Sequence, residues 1–272
     1  MKRFAKGCSL DRGRHRYTSL RVARARGIVW SKGVAAFDLS KYTPPVMDQT
    51  DSGCCEGTSS SGAIYTRFEA KGMPLGYIPS QQGLYVPARA FDRAAQFPSG
   101  DLPPLQDVGT ETNSVIRVIS EVGIVPMGSS PAGLYCDVTK TNVNEEIDLG
   151  DLERAGTSLI VGAYQINSSG AQKLQDIKDC ISSLIPVRVD SFVDMAFEDW
   201  TKGDKPIGAP DYSDPQGGGH ALYAIGFSGD NVVVRNSWGM GWGDGGNILV
   251  SPAWIAQCDA YAWDVQKAQA VT

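Results

Sequence analysis

The 272-residue chain contains two histidines, His15 and His220, and only His220 lies in the body of the sequence, within Gly217-Gly218-Gly219-His220-Ala221. Three further residues have the types and spacing that would turn this imidazole into a catalyst. Cys55 follows a loop of Gly, Ser and Asp and opens a segment that reads as helix. A thiol there feels the positive end of the helix dipole and, beside an imidazolium, ionises at neutral pH. Asn236 ends a β run sixteen residues after His220, where its side-chain oxygen accepts from the imidazole and fixes the ring. Gln49 lies six residues before Cys55 across a compact turn. Its amide, together with the Cys55 backbone N–H, would supply two donors to a tetrahedral oxyanion. A Cys-His-Asn set performs the tasks of a serine triad with an already ionised sulfur as nucleophile. Each residue alone has a plainer reading, as an inert buried cysteine, a structural histidine or an ordinary loop amide.

These side chains need elements to carry them. The pattern predicts a helix from about Cys55 to Phe68, with Ala63, Ile64 and Phe68 at helical spacing and Gly72 as a stop. A second helix runs from Ser80 towards Ala95, kinked or interrupted by Pro87. A third is capped by Thr112 or Asn113, places Val115, Ile116 and Ile119 on one face and ends at Gly123. The second half changes period. Leu159 to Ile166 and Val187 to Val193 read as strands around a helix from Ala171 to Leu184 that stops before Pro186. Ala221 to Phe227, Val232 to Asn236 and Asn247 to Val250 are short β runs punctuated by Ser228-Gly229-Asp230 and the glycines of 239 to 246. The expectation is an α+β fold with a helical lobe over about 45–155, a β lobe over about 156–268 and a cleft between them.

Composition narrows the functional classes. With 42% hydrophobic and 20% charged residues the chain has material for a full core. No run approaches the roughly 18 apolar residues of a membrane helix, and no apolar segment follows the basic N-terminus, so neither a transmembrane segment nor a secretory signal is expected. This favours an intracellular or particle-associated protein. The net charge of −5 hides ten Lys/Arg against one acid, Asp11, within residues 1–32. We read these residues as a basic extension, either solvated or docked on an anionic partner, preceding a domain over 33–272. Six scattered cysteines do not form the framework of a small secreted domain, and no Cys/His spacing suits a metal, so no cofactor is expected. Gly217-Gly218-Gly219 lacks the Lys-Ser/Thr of a phosphate loop and enters a strand.

Taken together, Asp48-Gln49, Gly53-Cys54-Cys55, Gly219-His220-Ala221 and Asn236-Ser237-Trp238-Gly239 with Gly241-Trp242-Gly243 and Gly246 resemble the papain-like cysteine peptidases in order and local context, over roughly residues 34 to 265. The Asn-Ser-Trp-Gly-x-Gly-Trp-Gly block is the specific part. The resemblance implies a two-lobe fold with a β-barrel-like second lobe and hydrolysis of peptide bonds. It also implies catalytic Cys55, His220, Asn236 and Gln49, and binding positions at Gly53, Gly219 and Trp238, the last covering the His–Asn hydrogen bond. Ala260 to Val265 looks like the closing strand.

The departures are specific. Glu56 stands where the family usually has an aromatic residue, either pointing inward and raising the thiolate pKa or facing solvent. Cys54 stands where serine is common and opens the possibility of a reversible Cys54–Cys55 disulfide. The 165-residue interval from Cys55 to His220 exceeds the family's roughly 130 to 150, implying an insertion in 137–156 or 203–218. From the short stretch before Val34, the inhibitory pro-segment of secreted members is not expected. The substrate class is a protein or peptide, with a cell-wall peptidoglycan peptide as one option. Rival readings are a catalytically silent binding or assembly module and a transglutaminase-like or amidase Cys-His hydrolase.

Overall fold

The computed structural model describes residues 18–19, 33–98, 101–128, 143–145, 150 and 159–267. Eight strands form one sheet: β1 (Thr18–Ser19), β2 (Ala36–Asp38), β3 (Leu159–Gln165), β4 (Val187–Val193), β5 (Gly218–Ser228), β6 (Asn231–Arg235), β7 (Asn247–Val250) and β8 (Asp259–Lys267). Their order is β1-β3-β8-β4-β5-β6-β7, with β2 pairing separately with β5. All pairings are antiparallel except β1 with β3, where Thr18 lies opposite Tyr164. Part of the basic N-terminal segment is therefore a sheet-edge strand. The rest of that segment, and most of the suspected insertion at 137–156, lie outside the described residues.

The helices are α1 (Cys55–Ala70), α2 (Gln81–Gln96), α3 (Thr112–Arg117), α4 (Gly170–Ser182), α5 (Met195–Glu198) and α6 (Pro252–Ile255). Helix α1 is buried almost all round despite the polar run Thr58-Ser59-Ser60-Ser61. Small side chains let neighbouring elements approach, and the hydroxyls are satisfied internally: Thr58, Ser59 and Thr66 donate to carbonyls one turn back, and Ser61 to Pro79 O at 2.6 Å. A Cβ on Gly62 would stand 2.6 Å from the Tyr223 hydroxyl and 2.7 Å from its ring, so glycine is what lets α1 lie against β5.

Helix α2 starts where Ser80 caps it, its hydroxyl accepting from Gly83 N at 3.0 Å, and Pro87 is accommodated inside. The third helix is capped differently from the expectation. Glu111, not Thr112 or Asn113, occupies the N-cap, and its side chain does not cap the helix. The Thr112 hydroxyl instead faces the interior, and the chain continues through a π-type turn at Val118–Val122 to Gly123, whose φ is 100°.

One continuous core joins the helices to the sheet: Ile64, Phe68, Leu84, Val115 and Ile119 pack with Val187, Leu222, Val234, Trp254 and Trp263. Arg67 crosses from α1 to β8, donating to Asp264 Oδ1 at 2.5 Å and to Leu184 O at 2.8 Å. The 203–218 segment, the other suspected insertion, is described. Asp194 and Asp214 cap its turns by accepting from Phe197, Asp211 and Met195 N–H groups. Tyr212 of the same segment stacks on Phe192 at 5.1 Å. No helix among the described residues is long and apolar enough to cross a membrane.

Candidate active site

The N-terminus of α1, strand β5 and the loop after β6 converge on one point. Cys55 is the first residue of α1 and is fully buried, packed with Ala221, the residue after His220. His220 lies on β5 opposite Ser191 of β4 and is fully buried. Its Nε2 is 2.8 Å from Asn236 Oδ1, which also accepts from Ser237 N at 2.7 Å. An amide oxygen only accepts, and the Ser237 N–H fixes which end of the amide is the oxygen, so His220 Nε2 carries the hydrogen of that bond. Proton exchange then falls to Nδ1. The Trp238 ring stacks on the imidazole at 4.7 Å and 26° and is held edge-on by Phe197 and Trp242. The bond therefore lies under an aromatic cover, where an imidazole–amide contact is stronger than in water.

Gln49 is brought to the same place by the strand-like bridge of Asp48 with Trp238. Its backbone N–H donates to Ser237 O at 2.8 Å, its Oε1 accepts from the Ser237 hydroxyl, and its Nε2 donates to Ser52 O at 2.8 Å. The amide is thus oriented at both ends. Gly53 N–H donates to both oxygens of Asp107 at 3.0 Å, and a Cβ there would meet Tyr85 Oη at 2.9 Å. Gly219 lies on β5 opposite Phe192, immediately before the histidine. All seven residues singled out in the sequence occupy the meeting point of α1, β5 and the β6–β7 loop or the segments that fasten it.

The two adjacent thiols have opposite surroundings. Cys54 packs with Tyr85 and Val143, its Sγ 3.8 Å from Gln81 O, and burial pushes its pKa far above the ordinary thiol range. Cys55 faces β5. Neither is in a disulfide, and a bond between them would require each to leave its own cluster. Glu56 takes the inward of its two expected orientations. It is fully buried rather than solvent-facing, and its inward charge is met by Arg188, whose Nη2 is 2.9 Å from Glu56 Oε2.

Sequence reasoning missed Asp107 and Tyr85, which fasten the loop before the cysteine to the segment before α3. Tyr85 Oη donates to Asp107 at 2.6 Å and accepts from Gly109 N at 3.0 Å. It also missed Arg188, Asp190 and Thr112 around Glu56. The one local signal was the alternation Val187-Arg188-Val189-Asp190, which places two charges on one face of a strand buried on both. Among the described residues no cluster of His, Cys, Asp and Glu could hold a metal ion.

The fold this geometry belongs to is that of the papain-like cysteine proteases. The chain aligns with the structure of xylellain, a cysteine protease from Xylella fastidiosa, at a TM-score of 0.67 and 19% identity over 99% of both chains. It aligns with digestive procathepsin L2 from the Tenebrio molitor larval midgut at 0.65 and 20% identity, over 95% of this chain and 78% of that one. A Carica candamarcensis cysteine protease, CMS1MS2, solved in complex with E-64, aligns at 0.55 and 19% identity, over 87% of this chain and 100% of that one. No family model and no curated protein sequence matches the chain.

Proposed function

We propose that the protein is a cysteine peptidase that hydrolyses peptide bonds through a covalent acyl-enzyme on Cys55. The observation that carries this reading is the His220 Nε2–Asn236 Oδ1 bond at 2.8 Å beneath Trp238, on the strand that packs against the cysteine opening α1. In this mechanism the Cys55 thiolate, supported by the helix N-terminus and the imidazolium, attacks the scissile carbonyl. The oxyanion is received by the Cys55 N–H and the Gln49 amide. The His220 imidazolium protonates the leaving amine at Nδ1, and the neutral imidazole then activates the water that releases the acyl group. Asn236 keeps the ring in the tautomer that exposes Nδ1.

The features that would favour a silent binding module have structural explanations compatible with activity. Glu56 is neutralised by Arg188, and Cys54 is turned away towards Tyr85. The substrate class is a peptide or protein, and neither the peptidoglycan option nor an anionic partner for the basic segment has a structural observation behind it. The test is intact-mass analysis after incubation with E-64. One adduct on the wild type, none on Cys55→Ala and a much slower reaction on His220→Ala support the reading. A folded, reduced wild type that takes up no inhibitor refutes it.

A further inference from the structure

Directly behind the candidate nucleophile, four polar side chains meet out of contact with solvent: Glu56 of α1, Thr112 of α3, and Arg188 and Asp190 of β4, each at most 2% exposed. Arg188 Nη2 donates to Glu56 Oε2 and to Asp190 Oδ1, both at 2.9 Å. Its Nη1 donates to Ser60 Oγ at 2.5 Å and its Nε to Leu222 O at 3.1 Å. Thr112 Oγ1 lies 2.6 Å from Asp190 Oδ2 and 3.1 Å from Glu56 Oε1.

A guanidinium nitrogen has two hydrogens for its two carboxylate bonds, but a threonine hydroxyl has one. With both acids ionised, one of the two short oxygen–oxygen contacts at Thr112 would have no hydrogen in it. With one proton on Asp190, every contact is filled: the Asp190 carboxyl donates to Thr112 and Thr112 donates to Glu56. The cluster is then neutral, with Glu56 negative, Arg188 positive and Asp190 uncharged. This avoids leaving a net charge in a dry interior, which is costly. Burial, then the neighbouring Glu56 charge, push the Asp190 pKa well above the ordinary carboxylate range against the pull of Arg188.

The cluster also spans the site. Glu56 follows Cys55, while Asp190 lies opposite Ala221 and Ser191 opposite His220. The other titratable groups around it are Asp259 and Cys258 on and beside β8, with Asp259 opposite Asp190, then His220 on β5 and Glu111 next to Thr112. Burial pushes the Cys258 thiol up.

We propose that Glu56, Thr112, Arg188 and Asp190 are positioning residues that hold Cys55 against His220, and that they do so through a cluster carrying one internal proton on the Asp190 side. The positioning role rests on the peptidase reading; the internal proton does not. Because the folded-state affinity for that proton is raised, the stabilisation is complete below the ordinary carboxylate pKa and is lost as pH rises through the raised one.

The experiment compares wild type, Asp190→Asn, Glu56→Gln and Arg188→Met between about pH 5 and 9. It reads melting temperature, the infrared carbonyl band of a protonated carboxyl, and the alkylation rate of Cys55 by iodoacetamide. Asparagine supplies that hydrogen permanently, as an amide N–H. Asp190→Asn should therefore lose the carboxyl band, remove this fall in melting temperature with rising pH, and keep Cys55 reactivity close to wild type. Glu56→Gln leaves Arg188 with one carboxylate, so Asp190 ionises and the band disappears there too. Arg188→Met should slow alkylation about tenfold or more in whatever fraction melts cooperatively.

The internal proton is overturned if wild type shows no protonated-carboxyl band at neutral pH, or if Asp190→Asn keeps the wild-type melting slope. The positioning role is overturned if Glu56→Gln and Arg188→Met lower melting temperature but leave the Cys55 alkylation rate unchanged. A wild type with the band and the slope but no E-64 adduct would refute the peptidase and leave the proton cluster standing.

Discussion

Replacing Asn236 should separate ring orientation from the rest of the machinery. Asn236 is 4% exposed, and its oxygen receives the Nε2 hydrogen of a ring that would become charged in the proposed cycle. Hydrogen bonds to charged groups contribute about 1.5 to 3 kcal/mol. At 1.4 kcal/mol per tenfold, Asn236→Ala should lower kcat/KM by roughly 10- to 150-fold. The lower half of that range is expected, because Trp238 still restrains the ring from one face. Asn236→Asp keeps the acceptor and adds a negative charge at the same position. An opposite charge this close favours the imidazolium and raises its pKa. The alkaline limb of the kcat/KM profile, which reports loss of the imidazolium, should then move to higher pH, although the buried carboxylate will limit the recovered rate. The assay is a fluorogenic peptide followed across pH, with iodoacetamide alkylation of Cys55 as an independent reading of thiolate. An unchanged kcat/KM in Asn236→Ala, or an alkaline limb in Asn236→Asp that coincides with wild type, would refute the assignment of His220 as the proton donor.

Cys54→Ala should retain E-64 labelling at Cys55, because Cys54 faces Tyr85 and its thiol is held protonated by burial; loss of labelling in a folded variant would reverse the choice of nucleophile. Gly62→Ala should destabilise by about 1 to 3 kcal/mol through the clash with Tyr223, read as a lower denaturation midpoint with unchanged slope. Arg67→Met should cost about 3 to 5 kcal/mol by leaving Asp264 without its closest cation, only partly offset by Lys71 at 3.5 Å. The double variant Arg67→Met/Asp264→Leu should recover much of that loss; a double variant no better than the single would show that packing of the arginine stem dominates.

The parts of this molecule that were legible in sequence are those whose signals are local. Cys55, His220, Asn236 and Gln49 could be picked out by residue type and spacing, and Val187–Val193 and Asn247–Val250 fall where their periodicity placed them. The short elements at Ala36–Asp38, Met195–Glu198 and Pro252–Ile255 carry too few residues to show a period, and they form because neighbouring strands and aromatic rings receive them. The cap of α3 was misplaced for a related reason. Thr112 has the right type for a cap, but a tertiary contact with Asp190 competes for its hydroxyl and wins.

The fastening of the site was not legible because it is built from pairs far apart in the chain. Glu56 and Arg188 are separated by 132 residues, and Gly53 and Asp107 by 54. Each half of such a pair reads as a surface residue until the other half is known. Glu56 shows why this matters for function. Read alone, a carboxylate one residue after the nucleophile disfavours a thiolate and argues against catalysis. Paired with Arg188, it adds no net charge behind the sulfur and ties the helix that presents Cys55 to the strand beside His220. An aromatic residue at that position could fasten the same two elements by packing alone. An ion cluster does so only when all its members are present, because removing one leaves a buried charge uncompensated. The chemistry proposed at Cys55 and the charges behind it would therefore stand or fall together.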